Sequence, residues 1–382
     1  MRKDLFIVTY SSLKTYGGGI ESWLIKFLSC SEKLFHIYNK IYVLGYKSDN
    51  NYLISDIIKD QNIHFVFLDI AAKLNIFCLF KYFIRARAAI LKAIKENDRA
   101  VDLLSIGTLY PSIPMYLIAK INVRRVIWLR SLYFKQINIL QSKKIKSVLL
   151  FIEYICLKKA DIVIANGYDT RDAYQNRYNM KNIIVIPNAI DISVVKENLK
   201  PFQGEKIKIG YIGRFSPDKG IDYFIESIDI YNKKSKTNNK EFIFIGWGEE
   251  EYKILSLIEA YSNVKYIGKL NNSAIFEELS RLDATVNLST SGTIGGGGVS
   301  NSLLESIFAN NLIICWDNPI FKQIINNDFG YLLPEGDINA LLAIYDELNN
   351  KQKAIKKIEN SKKLKANYLF SKHIETFISL ME

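Results

Sequence analysis

Short β-rich runs alternate with helical patterns along this chain, and the alternation restarts once. The first series of runs lies at 4–9, 40–45, 63–67, 101–106, 125–129, 161–165 and 182–186. Helical patterns at 74–95, 140–158 and 168–177 separate several of them. Strands that alternate with helices predict a parallel sheet covered on both faces. A polar stretch at 193–205, with Pro201 and Gly204, reads as a linker. Strands at 207–213, 242–246, 264–268, 284–289, 312–316 and 330–333 then alternate with helices at 220–233, 249–261, 273–282, 303–309, 320–325 and 338–348. A basic helical tail runs to Glu382. The expected fold class is α/β, built from two successive doubly wound halves.

A length of 382 residues accommodates two domains, and 49% apolar residues with mean hydropathy +0.02 suit large buried cores. No run approaches the roughly 18 apolar residues of a bilayer span. Lys81 and Glu153 interrupt the best candidates, near 74–84 and 147–157. The amino-terminal apolar run is too short for a signal peptide and reads as a first strand, so the expected location is cytoplasmic. The scattered cysteines, Cys30, Cys78, Cys156 and Cys315, read as buried free thiols. His36, His64 and His373 read as helix-end or strand residues rather than ligands or bases.

The net charge of +12 calls for an acidic partner. Arg124, Arg125, Arg130, Lys135, Lys143, Lys144 and Lys146 cluster with Glu153 as the one nearby acid. Phe77, Phe80, Tyr82 and Phe83 interleave with Arg85 and Arg87. Such helices suit an anionic membrane surface, and a solvated helix face is the alternative. No nucleic-acid recognition motif accompanies the charge.

Ligands of open α/β sheets bind beyond the carboxyl ends of the strands. The segment Ser291–Glu305, S-G-T-I-G-G-G-G-V-S-N-S-L-L-E, joins an apolar strand to a helix. Its four glycines allow close backbone approach, Ser300 or Asn301 caps the helix, and the helix start favours an anion. The segment is a phosphate cradle or a flexible loop. Gly213-Arg-Phe-Ser-Pro-Asp-Lys-Gly220 puts Arg214 and Lys219 at another strand end. Two cations there hold a diphosphate, or are surface charges beside a turn. The turn Gly246-Trp-Gly248 and the step Gly268-Lys269 are weaker signals of the same kind. Glu305 either accepts from ribose hydroxyls or complements its helix dipole.

In order along the chain stand A-D-I-V-I-A-N, V-I-P-N-A-I-D, Y-I-G-R-F-S-P-D-K-G, F-I-G-W-G and S-N-S-L-L-E-S. This series resembles family 4 of the GT-B fold glycosyltransferases, which are retaining enzymes. The resemblance implies two Rossmann-like domains facing across a cleft. Residues 1–195 would bind the acceptor and 205–365 the nucleotide-sugar, with a final helix at about 366–382 crossing back to the first domain. It implies diphosphate binding by Arg214 and Lys219 and ribose binding by Glu305. Further donor contacts are implied at Gly17, Gly18, Gly213, Gly246, Gly248, Lys269, Gly297, Gly298, Val299, Ser300 and Asn301. Glu21 and Arg130 fall on the acceptor side. Two positions depart from the family. Gly297 stands where a Glu commonly contacts the donor sugar, and Arg130 stands where many members have a His.

The implied function is transfer of a hexose from a UDP- or GDP-sugar to a hydroxyl of a saccharide or lipid-linked saccharide, in synthesis of a cell-surface polysaccharide such as capsule or O-antigen. No cofactor is expected. The chain has no Asp-x-Asp pair, so the cations at the diphosphate are expected to be protein side chains rather than a metal. A catalytically weak scaffold beside another transferase is the alternative, with a nucleotide-sugar epimerase behind it.

Overall fold

A computed structural model describes residues 2–15, 19–46, 53–69, 76–97, 99–118, 122–137, 142–235, 239–291 and 298–382. Gly17, Gly18 and Gly297 lie outside these. The chain divides into two compact units. The described residues up to Pro187 and Ile374–Glu382 belong to the first; those from Asn188 to His373 form the second, apart from Gly298, which groups with the first.

The first unit holds a sheet of strands β1 (Lys3–Thr9), β2 (Tyr38–Tyr46), β3 (Ile63–Leu68), β4 (Val101–Ile106), β5 (Val123–Leu129), β6 (Ile162–Ala165) and β7 (Ile183–Val185). All pairings are parallel, in the order β3-β2-β1-β4-β5-β6-β7. The near-continuous apolar strands follow from burial on both faces. Every residue of β4 is buried, for example.

The second unit repeats the plan with β8 (Ile207–Arg214), β9 (Lys240–Trp247), β10 (Val264–Gly268), β11 (Ala284–Asn287), β12 (Leu312–Trp316) and β13 (Gly330–Leu333). They are parallel in the order β10-β9-β8-β11-β12-β13. The chain reverses its direction of sheet growth between β1 and β4 in one unit and between β8 and β11 in the other. These are the topological switch points, where adjacent connections leave on opposite faces and open a crevice.

The contact boundary falls after Pro187, ahead of the polar stretch at 193–205. Ile190 explains why. It is buried in the second core and exchanges backbone hydrogen bonds with Tyr368 and Phe370, each at 2.8 Å. The last helix, Phe370–Met381, enters the first unit from Ile374 onward. There Phe377 stacks on Trp128, with centroids 5.7 Å apart, and meets Phe27 edge-on. Lys3 Nζ and Arg124 both donate to the Met381 carbonyl and satisfy a helix end.

One sequence expectation is corrected, and one helix is added. The segment 320–325 is a series of turns, not a helix. The Asn318 side chain accepts from the Ile320 N–H at 3.0 Å, and Pro319 precedes it, a combination that favours turns. Conversely, Leu109–Tyr116 is helical although it contains Pro111 and Pro114. Pro111 sits in the first turn, where no intrahelical N–H bond is needed. Among the described residues, no helix is long and apolar enough to cross a membrane.

Candidate functional site

The switch point of the second sheet is built by three segments that converge on the end of β11. The first is the turn after β8. Gly213, at φ +148°, and Gly220, at φ +71°, bracket it. Pro217–Lys219 forms one 3₁₀ turn, and Gly220 opens the helix Ile221–Lys234. A Cβ on Gly220 would lie 2.0 Å from the Leu288 carbonyl oxygen. Glycine is therefore required twice, by its backbone angle and by close approach. The Thr290 N–H donates to the Asp218 carbonyl at 3.2 Å, which ties the turn to the end of β11. Inside the turn, the Tyr211 hydroxyl lies 3.1 Å from the carbonyl oxygens of both Arg214 and Lys219.

The cations sit on this frame. Arg214 ends β8 with 56% of its side chain exposed. Its Nε donates to Ser216 Oγ at 3.2 Å, and its Nη2 lies 3.5 Å from Asp218 Oδ2. Lys219 Nζ is 3.9 Å from the same carboxylate oxygen. Ser216 Oγ donates to the other oxygen of Asp218 at 2.5 Å. Asp218 is thus shared and held from below. Arg214 is more than half exposed, and so long a pair contributes about 1 kcal/mol or less, so an anion can replace it at small cost. Burial pushes the Lys219 ammonium below its usual range; Asp218 counteracts this and Arg214 adds to it.

The second segment is the helix Asn301–Phe308. Ser300 caps it, accepting from the Leu303 N–H at 3.4 Å, which decides between the two caps the sequence left open. Ser302 Oγ lies 2.9 Å from Ser300 Oγ and donates to Asn287 Oδ1, at the end of β11, at 3.4 Å. Gly298, at φ +100°, precedes the cap in the left-handed region that glycine favours. Val299 is buried, and its carbonyl accepts from Asn188 Nδ2 at 2.7 Å. Asn301 is exposed at the first helical position, and Glu305 is half-buried one turn further in.

The third segment clamps the base of the glycine loop. Both Glu335 carboxylate oxygens accept from the Ser291 N–H at 3.1 Å, and one also accepts from Asn318 Nδ2 at 2.6 Å. Asn318 Nδ2 reaches the Ser289 carbonyl as well, at 2.9 Å. Sequence reasoning missed Tyr211, Asp218, Asn318 and Glu335. Asn318 and Glu335 act on residues of another strand end, while Tyr211 and Asp218 brace the cation turn from within it.

Beside this crevice, Lys269 Nζ lies 4.8 Å over the half-exposed ring of Trp247. A Cβ on Gly246 would meet the Gly213 carbonyl oxygen at 1.9 Å, and one on Gly248 the Phe215 carbonyl oxygen at 2.2 Å. These glycines let the ends of β8 and β9 nest against each other.

In the first unit, Glu21 lies in the first turn of the helix Gly19–Ser29 and accepts a hydrogen bond from the Ser11 hydroxyl, just past β1. Arg130 follows β5 directly, over the faces of Trp23 and Trp128. The histidines lie elsewhere: His36 before β2, His64 in the first half of β3 and His373 in the last helix. Among the described residues, no group of three or more His, Cys, Asp and Glu is placed to hold a metal. A hollow of about 380 Å³ lined by Lys3, Asp102, Arg124 and Asp161 lies at the amino edge of the first sheet, away from both switch points.

The family model described as glycosyl transferases group 1 matches residues 196–365, and the glycosyltransferase family 4 model matches 59–194. An uncharacterized 41.2 kDa protein in the cps region of Klebsiella pneumoniae is 26% identical, over 59% of this chain and 64% of its own length. The poly(ribitol-phosphate) alpha-N-acetylglucosaminyltransferase of Staphylococcus aureus (strain COL) is 30% identical over 44% of this chain. The chain spans less than two thirds of either relative, and 32% of the second. The Anabaena protein Alr3699/HepE, solved with UDP-glucose, superposes with TM-score 0.73 at 15% identity, over 100% of this chain and 99% of its own. Two doubly wound units, consecutive matches to both halves of one family and a full-length structural likeness agree: the chain belongs to the GT-B-fold glycosyltransferases of family 4.

Proposed function

We propose that this protein transfers a hexose from a nucleotide-sugar to a saccharide hydroxyl with retention of configuration, in assembly of a cell-surface polysaccharide. The observation that carries this reading is the switch point between β8 and β11. There Arg214, Lys219 and the capped start of Asn301–Phe308 are fastened to one strand end. A diphosphate fits such a place: Arg offers a fork of donors, Lys a point charge, and a helix start free N–H groups. Glu305, on the same helix, would accept from the ribose hydroxyls.

In the transfer, the bond from the sugar C1 to the diphosphate oxygen breaks and the bond from C1 to the acceptor oxygen forms on the same face. The acceptor proton goes to the departing phosphate oxygen. Arg214 and Lys219 would stabilise the charge that develops there. UDP is the favoured nucleotide, because a full-length structural neighbour was solved with UDP-glucose. The polysaccharide context draws on the relatives, a cps-region protein and a poly(ribitol-phosphate) N-acetylglucosaminyltransferase. The protein cations stand in for a metal in this scheme, so turnover should survive EDTA.

The cytoplasmic face of an anionic membrane is the proposed working surface. Phe77 and Phe80 are 78% and 65% exposed on the helix Ile76–Asn97, beside exposed Lys81 and Arg87. Ile145, Val148 and Phe151 are exposed on Lys143–Lys158, beside Lys143 and Lys144. Both helices pack on Leu109–Tyr116, so they lie on one side of the first sheet. Apolar rings ringed by cations gain from acyl chains and from anionic headgroups together.

The test is nucleotide release from UDP-glucose, UDP-N-acetylglucosamine and GDP-mannose with saccharide acceptors, with and without EDTA. Release that depends on acceptor supports the transferase. Binding of nucleotide-sugar without release under every acceptor would replace it with a scaffold. Sedimentation with phosphatidylglycerol vesicles, but not with phosphatidylcholine vesicles, checks the membrane arm, and Phe151→Glu should weaken it.

A further inference from the structure

Among the described residues, Arg130 is a charge without a counter-charge. It leaves the carboxyl end of β5 and packs its guanidinium 5.1 Å from the ring centre of Trp23 and 5.8 Å from that of Trp128. Its Nη1 is buried and has no hydrogen-bond partner among the described residues. Burial pulls its pKa down to about 10, and no carboxylate of the described residues acts against that. At neutral pH it is still charged. The contrast with Arg124 is plain: Arg124 meets Asp102 through two donors at 2.9 and 2.7 Å.

The backbone around Arg130 is fixed rather than loose. Asn166 Nδ2 reaches its carbonyl at 3.5 Å, and the Tyr174 hydroxyl donates to the Ser131 carbonyl at 3.3 Å. Trp23 and Trp128 contact each other at 4.8 Å, and Trp23 also stacks on Phe27 at 4.7 Å. The slot is therefore preformed. Ring faces lower the cost of holding a cation but supply no acceptor. A half-buried cation whose inner donor is buried and unpaired costs the fold free energy. Such a feature is explained if an anion completes it during function. The site lies at the carboxyl edge of the sheet, where ligands of this architecture bind.

We propose that Arg130 receives an anionic group, a carboxylate or a phosphate, carried by the saccharide substrate that the first unit binds, and so selects acidic sugars over neutral ones. This rests on the transferase reading above but is testable without turnover. Trp23 and Trp128 border the guanidinium, so their fluorescence should report the anion. Titration with glucuronate, glucose 6-phosphate and glucose is the experiment. Either acidic sugar should bind about tenfold or more tighter than glucose, the worth of one charge-assisted hydrogen bond pair. Which one binds tighter identifies the anion. Arg130→Met should erase the preference while its melting temperature holds or rises, because it removes an unpaired charge. Trp23→Phe should reduce the signal. Equal binding of all three sugars by the wild type would overturn the proposal. So would a sharply lowered melting temperature for Arg130→Met with the preference intact, since that marks a brace for the tryptophans. A parallel UDP titration keeps the two readings apart: loss of UDP binding in the wild type speaks against the transferase, not against the anion slot.

Discussion

The two switch points hold their cations in opposite ways. In the second unit, Arg214 and Lys219 share Asp218 at 3.5 and 3.9 Å, and Arg214 is more than half exposed. In the first, Arg130 lies over two indole rings that touch each other, and its buried Nη1 has no acceptor among the described residues. A loosely paired, wet cation costs the fold little and is free to exchange partners. A half-buried one with a bare inner donor costs more and discriminates more, because an uncharged ligand leaves that donor unpaired. The first arrangement suits a group common to many substrates, such as a diphosphate. The second suits a group that only some substrates carry.

Removing a cation from the exchangeable site should have the largest effect. Arg214→Ala is expected to lower kcat/KM by about a hundred- to a thousandfold, the range for losing a donor aimed at developing charge. Nucleotide release with the preferred donor measures it. A loss under tenfold would mean that the two cations are surface charges and that the comparison collapses. Glu305→Ala should act mainly through KM for the donor, by losing ribose contacts made equally before and during reaction.

The frame beneath the cations comes next. Gly220→Ala forces a side chain into the left-handed region and against the Leu288 carbonyl. It should destabilise the protein by about 2–3 kcal/mol, read by urea unfolding. Unchanged stability would show that the turn is not fastened to β11 as described.

How much of this was legible in the sequence differs between the frame and its contents. Strands buried on both faces are continuous apolar runs, so their order could be read directly. The glycine turns and the pair Arg214 and Lys219 stood out because turn chemistry is local. The helix Leu109–Tyr116 was hidden by Pro111 and Pro114, whose local signal is against helix. The segment 320–325 has apolar spacing that suits a helix, but the Asn318 side chain holds the Ile320 N–H in a turn. Asn318 and Glu335 were not legible, because each is defined by a partner on another strand end. The isolation of Arg130 was equally invisible. The sequence placed it in a basic cluster, and only packing separates it from Arg124 and its carboxylate.

The hydroxyl that braces the cation turn predicts a smaller effect. Tyr211→Phe removes the donor that reaches the Arg214 and Lys219 carbonyls and should cost about 1 kcal/mol of stability. A drop in turnover beyond what that loss accounts for would show that the turn must be held rigid for Arg214 to act.

The smallest effect lies in pH dependence, and it separates Lys219 from its neighbour. Burial lowers the folded pKa of Lys219, while the unfolded chain keeps the ordinary lysine value of 10.5. Between the two values the unfolded state binds more protons, so this group's contribution to stability rises with pH. Over the same window the folded protein loses the positive charge that a diphosphate needs. Activity should therefore fall on the alkaline side before the ordinary lysine range, while urea midpoints show no matching loss from this group. Lys219→Arg should move the alkaline limb upward, since a guanidinium stays charged. If the limb stays where it was in that variant, Lys219 does not carry the titration, and Arg214 alone holds the anion.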